Sequence, residues 1–461
     1  MNRLPFLFMA ALFAAQALAV PEVSGVSVVQ DARRRTRITY SLSSIPAVVT
    51  LDVQTNAADG AWISVTRDIG ATNFTGDVWR RVESSSGVIN WDPVASWPNV
   101  RLNKGASLRA VVTAFAPDDT PDYMVVDLAE SSDSRTNYYP SVDLLPGGLM
   151  DNPAYRTSKL VLRKVLAKDV PWTMGSVCEP SAYDGGNSLT VPASKYAHPV
   201  QLTNNYYLAV FETTHAQWQA IMGGMPENVD TARFDVDGEM RPIEQAYPSL
   251  VRGSLWPSEP TGGSFLGTLR TRTGMDFDLP SEAQWEFACR AGLGEGVWNT
   301  GAAYSAQYAY YKEYNASGNN TYNGWHWWVG ASIPGRCSTT DGRIAVNDNF
   351  YDVARASIGM TNGTAIVGSY PASAWGLYDM HGNVSELTLD FYKEDISALN
   401  GAVCSDSSSG KRVIRGGSIE SRGVIDCRAA ARSTVGYTGT DNGDRWAYTV
   451  GYRLCCRNGL K

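Results

Sequence analysis

Between Val23 and Leu128 the chain repeatedly alternates apolar and polar residues. The alternation is clearest in three sets: Ile38, Tyr40 and Leu42; Val49, Leu51 and Val53; Leu108, Ala110 and Val112. A period of two residues is typical of strands with one buried face. Turn-rich segments such as Asn56–Gly60 and Ala116–Pro121 separate the sets. About seven short strands in roughly a hundred residues predict an Ig-like or fibronectin-like β-sandwich over residues 20–130.

The pattern changes beyond this region. Residues 131–158 contain many Ser and Pro residues and predict a loosely ordered linker. The apolar positions of Lys159–Val165 then predict a strand. We therefore expect a second domain over residues 159–461, with the three Trp residues at 79, 91 and 97 contributing to the core of the first.

Two helix starts can be read from the sequence. Thr213 or Thr214 is expected to cap one helix. Ser281 precedes Gln284 by three residues, which is the spacing of a capping box, so a second helix is expected to begin there. Its apolar positions are spaced for an inward face.

The segment Gly292–Ala345 is rich in Gly, Tyr, Asn and Trp and lacks a regular period. Such long irregular stretches are often functional surface. Trp325, Trp327 and Trp328 could contact a peptide or glycan, or could pack against the core. The sequence leaves both interpretations open.

The N-terminus resembles a secretory leader. Arg3 precedes the apolar run Leu4–Leu18, and Ala17-Leu18-Ala19 matches an A-x-A cleavage site. We therefore expect residues 1–19 to be a signal peptide and the protein to be secreted or extracytoplasmic, in a periplasm or at a cell surface. The run is short for a membrane anchor, and no later apolar run is long enough to span a bilayer. The net charge of −7 makes a nucleic-acid partner unexpected.

Cysteine and histidine spacing restricts the metal chemistry. The seven cysteines include no CxxC pair, so a zinc ribbon or a thioredoxin motif is not indicated. Export favours disulfides, and an odd number leaves at least one cysteine unpaired within the chain. The four histidines form no HExxH or HxxxH pair.

The loop Trp375–Glu386 (WGLYDMHGNVSE) concentrates oxygen donors at Asp379, Asn383, Ser385 and Glu386. Calcium needs several oxygen ligands, some of them from the backbone, and the glycines leave carbonyls accessible. The spacing is not that of an EF-hand. A Gly-rich turn with solvated polar residues accounts for the same composition, so both interpretations remain open.

This loop resembles the central signature of the formylglycine-generating enzyme family, the sulfatase-modifying factors. Further resemblances occur in the same order along the chain: Trp172–Ser176 (WTMGS), Asp278–Gly292 (DLPSEAQWEFACRAG), Arg415–Ser418 (RGGS), Cys427–Ser433 (CRAAARS) and Gly451–Leu454 (GYRL). The resemblance covers roughly residues 159 to 457. It implies an α+β, C-type-lectin-like fold with little regular structure for the second domain.

The resemblance also implies a structural calcium ion. Its ligands would be the side chain of Asp379, the carbonyls of Gly382 and Val384, and the carboxylate of Glu386. A second calcium site of the family is less complete here. Asn349 is the candidate for one of its ligands, but Gly359 stands near the place of an expected carboxylate.

The family's chemistry is the copper(I)-dependent oxidation of a sulfatase cysteine to formylglycine. Two cysteines five residues apart, after RGGS, bind the metal, because copper(I) prefers thiolates. Ser418 matches a serine of that site, but Ser421 stands at the first cysteine position and no cysteine lies at the second. Copper(I) is therefore not expected, and Ser418, Ser421 and Cys427 are weak catalytic candidates.

By the same resemblance Cys289 would form a disulfide with Cys427, the one thiol close to the RGGS motif. Four arginines, at 415, 428, 432 and 453, could bind an acidic ligand or form buried structural pairs. Two functions remain in view. One is a sulfatase-modifying oxidoreductase; the other is a calcium-stabilised, non-catalytic binding module for a protein, peptide or glycan, with a surface including Trp325, Trp327, Trp328 and Arg432.

Overall fold

A computed structural model describes most of the chain in two compact units. The described residues are 20–56, 59–69, 73–96, 108–129, 136–175, 182–184, 187–189, 197–226, 238–292, 311–312, 325–326, 364–369, 372–418, 429–436 and 450–457. Unit 1 comprises Met1–Val65 and Ala71–Thr120, and unit 2 comprises Thr66–Gly70 and Pro121–Lys461. Elements are numbered below in chain order.

The described residues of unit 1 form two antiparallel sheets and one short helix, α2 (Pro93–Ser96). Its strands are β1 (Val23–Gln30), β2 (Thr36–Leu42), β3 (Ala47–Asn56), β4 (Trp62–Ser64), β5 (Phe74–Gly76), β6 (Arg80–Val82), β7 (Ser86–Trp91) and β8 (Leu108–Phe115). One sheet has the order β1-β2-β7-β5; in the other, β3 pairs with β4, β6 and β8.

The alternation in the sequence corresponds to burial in unit 1. In β2, Ile38, Tyr40 and Leu42 are buried, with exposed or half-buried residues between them. Trp79 and Trp91 are also buried, as predicted, whereas Trp97 lies outside the described residues. The Ig-like or fibronectin-like topology itself stays a prediction.

The boundary between the units lies earlier than the sequence indicated. Tyr123–Asp127 (β9) pairs with Lys159–Val165 (β11) and so belongs to a sheet of unit 2. Four of the five residues of β9 are buried, so its sequence has no alternation that would show to which sheet it belongs. Its place in unit 2 follows from its hydrogen-bonded partner strand. The expected linker likewise contains β10 (Thr136–Tyr139), which pairs with β9, and the short helix α3 (Ala154–Thr157).

Unit 2 is built on a six-stranded and a four-stranded sheet. The first is antiparallel with the order β10-β9-β11-β16-β24-β17, where β16 is Tyr206–Ala209, β17 is Phe277–Asp278 and β24 is Cys455–Cys456. The second has the order β22-β21-β20-β23, where β20 is Ser385–Phe391, β21 is Lys411–Arg415, β22 is Ser433–Gly436 and β23 is Val450–Gly451. The β20–β23 pair is parallel.

Smaller elements complete unit 2. Three strand pairs are β12 (Pro171–Met174) with β15 (His198–Gln201), β13 (Ala182–Asp184) with β14 (Asn187–Leu189), and β18 (Tyr311–Lys312) with β19 (Trp325–His326). The α-helices are α1 (Thr66–Ile69), α4 (His215–Met222), α5 (Pro248–Val251), α6 (Phe265–Thr273) and α7 (Glu282–Arg290). The described part of unit 2 also contains 3-10 helices at Val142–Leu144, Gly238–Met240, Ser397–Leu399 and Ser407–Ser409. No helix in the described ranges has both the length and the apolar character to cross a membrane.

Both predicted helix starts are confirmed. Thr214 caps α4 and Ser281 caps α7, each through a capping box with a glutamine three residues later. Trp285 on α7 is completely buried in a core cluster that also contains Leu208, Ala288 and Met380. Through Trp285, helix α7 therefore packs against both the six-stranded sheet and the loop that contains Met380.

One glycine is required where α6 begins. The Gly267 amide donates to the side chain of the N-cap Ser264 at 3.2 Å, and an added Cβ would overlap the backbone of Thr261. We expect Gly267→Ala to lower the free energy of unfolding by about 1–3 kcal/mol in urea denaturation, because a backbone segment must move. Gly262→Ala, whose Cβ would point into open space, is the matched control and should change stability by less than about 0.5 kcal/mol. Equal effects of the two substitutions would contradict this account.

Candidate functional site

The loop Trp375–Glu386 leads directly into β20. Gly376 and Gly382 have φ values of 75° and 98°, and Asp379 and Asn383 have values of 56° and 66°. Glycine and, less readily, Asn and Asp adopt this left-handed backbone, which turns the chain. The turns direct Asp379 and Asn383 inward, where 2% and 0% of their surface is exposed.

Backbone hydrogen bonds join this loop to neighbouring segments. The amide of Gly368 donates to Asp379 Oδ2 at 2.7 Å. The amide of Gly382 donates to the carbonyl of Gly416 at 2.8 Å. Since Gly416 belongs to the RGGS motif, the fold brings two distant sequence motifs together.

Glu386 lies at the centre of a buried cluster. Arg453 donates from Nε to Oε2 and from Nη2 to Oε1, each at 2.6 Å. Trp285 Nε1 also donates to Oε2, at 2.7 Å. Glu386 and Arg453 are completely buried, and such burial is tolerated because the charges are paired and hydrogen-bonded. The cluster connects the loop, α7 and the GYRL motif.

Glu212 is a further member of this region that sequence reasoning missed. Its carboxylate accepts from the amide of Val384 at 3.2 Å and from Asn383 Nδ2 at 2.6 Å. Burial, followed by the negative charges of Asp379 and Glu386, raises the pKa of Glu212 well above its usual value. One feature of the sequence could have indicated it: Glu212 directly follows an apolar run. A carboxylate at such a position is expected to be buried and therefore to need partners.

The loop contains oxygen donors of the type that calcium binds. Asp379 and Glu386 supply carboxylate oxygens, which calcium prefers as ligands. Within the part of the chain that the structure describes, however, no three His, Cys, Asp or Glu side chains converge as a metal site. Both Glu386 oxygens already accept from Arg453, so the backbone carbonyls would have to supply much of the coordination.

A second ionic cluster involves α7. Glu286 accepts from Arg290 Nε at 2.9 Å and also pairs with Arg415. Burial would raise the pKa of Glu286, but the charges of Arg290 and Arg415 outweigh it and hold the pKa below its usual value. Glu282 pairs with Arg432 through both carboxylate oxygens, at 2.5 and 2.9 Å. Arg432 was predicted as part of a ligand surface. Its side chain is only 9% exposed and forms an ion pair with Glu282.

Cys289 is a free, completely buried thiol in this structure. Its Sγ lies 3.6 Å from His381 Nε2 and 3.9 Å from the carbonyl oxygen of Met380. Burial raises the pKa of the Cys289 thiol, so it stays protonated, and a protonated thiol is neither a good metal ligand nor a nucleophile. The Cys289–Cys427 disulfide stays a prediction, because Cys427 lies outside the described residues.

The structure describes only some of the remaining candidate residues. Ser418 is buried just after β21, with 3% of its surface exposed. Trp325 is placed only as part of the backbone of β19. The other predicted residues, which are Ser421, Asn349, Trp327 and Trp328, lie outside the described residues.

We expect Asp390 on β20 to make the stability of unit 2 sensitive to pH. It accepts from the amides of Glu282 at 2.6 Å and Cys404 at 2.7 Å. Burial, and then repulsion by Glu282, raises the pKa of Asp390 from 3.8 to about 7. Between these two values the folded state keeps a proton that the unfolded chain releases. Stability should therefore fall as pH rises through this window, by up to about 1.4 kcal/mol per pH unit.

We expect Asp390→Asn to reduce this slope by the contribution of about one proton. The measurement is the free energy of unfolding from urea titrations at several pH values between about 4 and 8. Glu394→Gln, at an exposed position nearby, is the control and should keep the wild-type slope. An unchanged slope in Asp390→Asn would show that another group binds the proton.

Comparison with known proteins identifies the class. Residues 181–457 match the FGE-sulfatase family, described as the Sulfatase-modifying factor enzyme 1-like domain. The match spans more than half of the chain, and the chain therefore belongs to this family. Mixed sheets and few helices in unit 2 agree with the α+β fold expected for it.

Two solved structures are among those similar to this chain. PvdO from Pseudomonas aeruginosa is 19% identical, with a TM-score of 0.42, over 64% of this chain and 94% of that chain. Treponema denticola variable protein 1 is 18% identical, with a TM-score of 0.39, over 65% of this chain and 95% of that chain. No curated protein sequence matches the chain.

Proposed function

We propose that this protein is a non-catalytic member of its family that acts outside the cytoplasm as a calcium-stabilised binding module for a peptide or glycan. One observation carries the proposal. The sequence after RGGS has Ser421 at the first copper-ligand position and only one cysteine, Cys427, between residues 419 and 428. A serine hydroxyl cannot replace a thiolate for copper(I), so the known chemistry of the family lacks its metal site.

The described thiol of Cys289 does not compensate for this loss. Cys289 is buried, protonated and directed at His381 rather than at solvent. Arg415 and Arg453, which could otherwise bind an anionic substrate, are fully buried in ion pairs with Glu286 and Glu386. The polar groups beside RGGS thus serve the fold.

Aromatic side chains support a binding function. Trp172 and Trp375 are half-buried and each packs against Phe287, with ring centroids 5.4 and 5.5 Å from it. Both rings pack against the core cluster, and any part of them that solvent reaches could contact a sugar face or a peptide side chain. The sequence offers three more tryptophans, at 325, 327 and 328, for contact with a peptide or glycan.

The first test is an assay for formylglycine. The chain from Val20 onward is incubated with a sulfatase-type cysteine peptide, copper(I), oxygen and a thiol reductant, and the peptide mass is followed. We expect no aldehyde product. Formation of the aldehyde would overturn the proposal and establish the alternative, an active sulfatase-modifying oxidoreductase.

The second test addresses binding and calcium. Peptide and glycan arrays are probed with the wild type and with Trp172→Ala and Trp375→Ala, and we expect at least one variant to lose a wild-type signal. Calcium should raise the melting temperature relative to the chelator EGTA, because an ion that binds only the folded state stabilises it. No array signal, or no calcium effect, would refute the corresponding half of the proposal.

A further inference from the structure

Strand β1 of unit 1 is an exposed sheet edge. It is the first strand of its sheet, and among the described residues it pairs only with β2. Seven of its eight residues are exposed. Three of them are valines, Val26, Val28 and Val29, which are 42%, 53% and 61% exposed.

Natural proteins usually protect an edge strand with charged residues, proline or a bulge. The sequence of β1, VSGVSVVQ, contains no charge and no proline. An irregularity in its register with β2 falls between Ser24 and Ser27, but from Ser27 to Gln30 the pairing is regular. The second half of β1 therefore presents free backbone donors and acceptors together with apolar side chains on both faces.

We propose that β1 pairs with β1 of a second copy of this chain, antiparallel and about a two-fold axis, so that the two sheets become continuous. A two-fold axis makes one surface serve both partners. Backbone hydrogen bonds between the strands would supply the pairing, and the exposed valines of the two copies would cover each other across it.

The charges at the ends of β1 favour this orientation and this partner. Glu22 precedes the strand, and three exposed arginines, Arg33, Arg34 and Arg35, follow it in the turn to β2. Asp31 in that turn is already engaged, since its Oδ1 accepts from two backbone amides. Antiparallel pairing brings Glu22 of each copy to the arginines of the other, whereas parallel pairing would bring like charges together.

The same charges cannot satisfy each other within one copy. An eight-residue strand separates them, a length of about 26 Å at the usual rise per residue. Any energetic coupling between Glu22 and the arginine turn would therefore be a contact between two copies.

Sedimentation velocity of the chain from Val20 onward, over a wide concentration range, tests the proposal. We expect a reversible dimer. Val28→Lys should raise the dissociation constant about tenfold or more, because it places like charges close together across the new pair. Ile63→Lys is the matched control, since Ile63 is 50% exposed on β4 of the other sheet, and it should dissociate like the wild type. Thermal melts establish that both variants are folded.

A charge exchange gives a second measurement. Glu22→Lys and Arg33→Glu should each weaken the dimer, and the double variant should recover it at low ionic strength. A wild type that stays monomeric, equal dissociation of Val28→Lys and Ile63→Lys, or a double variant no better than the single ones would each overturn the proposal. If the wild type is monomeric, the remaining candidate for pairing with β1 is a strand of a different protein.

Discussion

Arg453→Met should lower the free energy of unfolding by about 3–5 kcal/mol, the largest stability effect that we expect from a single substitution in this chain. The guanidinium is completely buried and makes two 2.6 Å hydrogen bonds with Glu386. Its removal leaves the Glu386 carboxylate without a cation beside Asp379, and the negative charges of these two groups already raise the pKa of the neighbouring Glu212. The measurement is the midpoint of urea unfolding at constant m-value.

Two further variants show whether the cost comes from the unpaired charge. Arg457→Met is the control, because Arg457 is 26% exposed and its partner Asp278 retains Arg252 and Arg270. It should cost less than about 1 kcal/mol. The double variant Glu386→Gln/Arg453→Met should be more stable than the Arg453→Met single variant, because the uncharged amide at position 386 no longer needs a cation. A single-variant cost below about 1 kcal/mol would refute the central role of the pair.

The second large effect is a gain of copper(I) binding. The double variant Ser421→Cys/Asp426→Cys restores two cysteines at the five-residue spacing that the family resemblance implies. We expect it to bind copper(I) tighter than the wild type by orders of magnitude, because two thiolates chelate a soft ion that serine and aspartate do not hold. Competition with a chromophoric copper(I) chelator measures the affinity.

Ser421→Cys and Asp426→Cys as single variants are the controls and should remain close to the wild type. If the wild type itself competes strongly for copper(I), the loss of the metal site is disproved and the oxidoreductase alternative gains support. If the double variant binds no better than either single variant, the assignment of residues 421 and 426 to the metal positions is wrong.

Local features of the sequence predicted local structure well. The predicted capping box at Ser281 is confirmed, and Thr214 is the one of the two candidate threonines that caps α4. Both predictions succeed because a cap depends on residues three positions apart. The burial of Tyr40 and Leu42 follows from a period of two within one strand. The ordered motifs predicted the family, which the match over residues 181–457 shows.

Distant pairings were the part that the sequence did not reveal. The strand Tyr123–Asp127 was assigned to the first domain on its local pattern, but its hydrogen-bond partner is Lys159–Val165. Glu212 escaped notice because its partners Asn383 and Val384 lie more than 170 residues along the chain. No local period or spacing encodes such contacts.

The sequence by itself determined the helix starts, the alternation of the first unit, the family and the missing cysteine pair, since each depends on residue type at short spacing. Only the tertiary structure decided which charges neutralise each other. Glu386 with Arg453, and Glu286 with Arg415, are paired because the sheets and α7 bring separate motifs into one buried volume. In that volume a charge must find a partner, and the fold selects which partner is within reach.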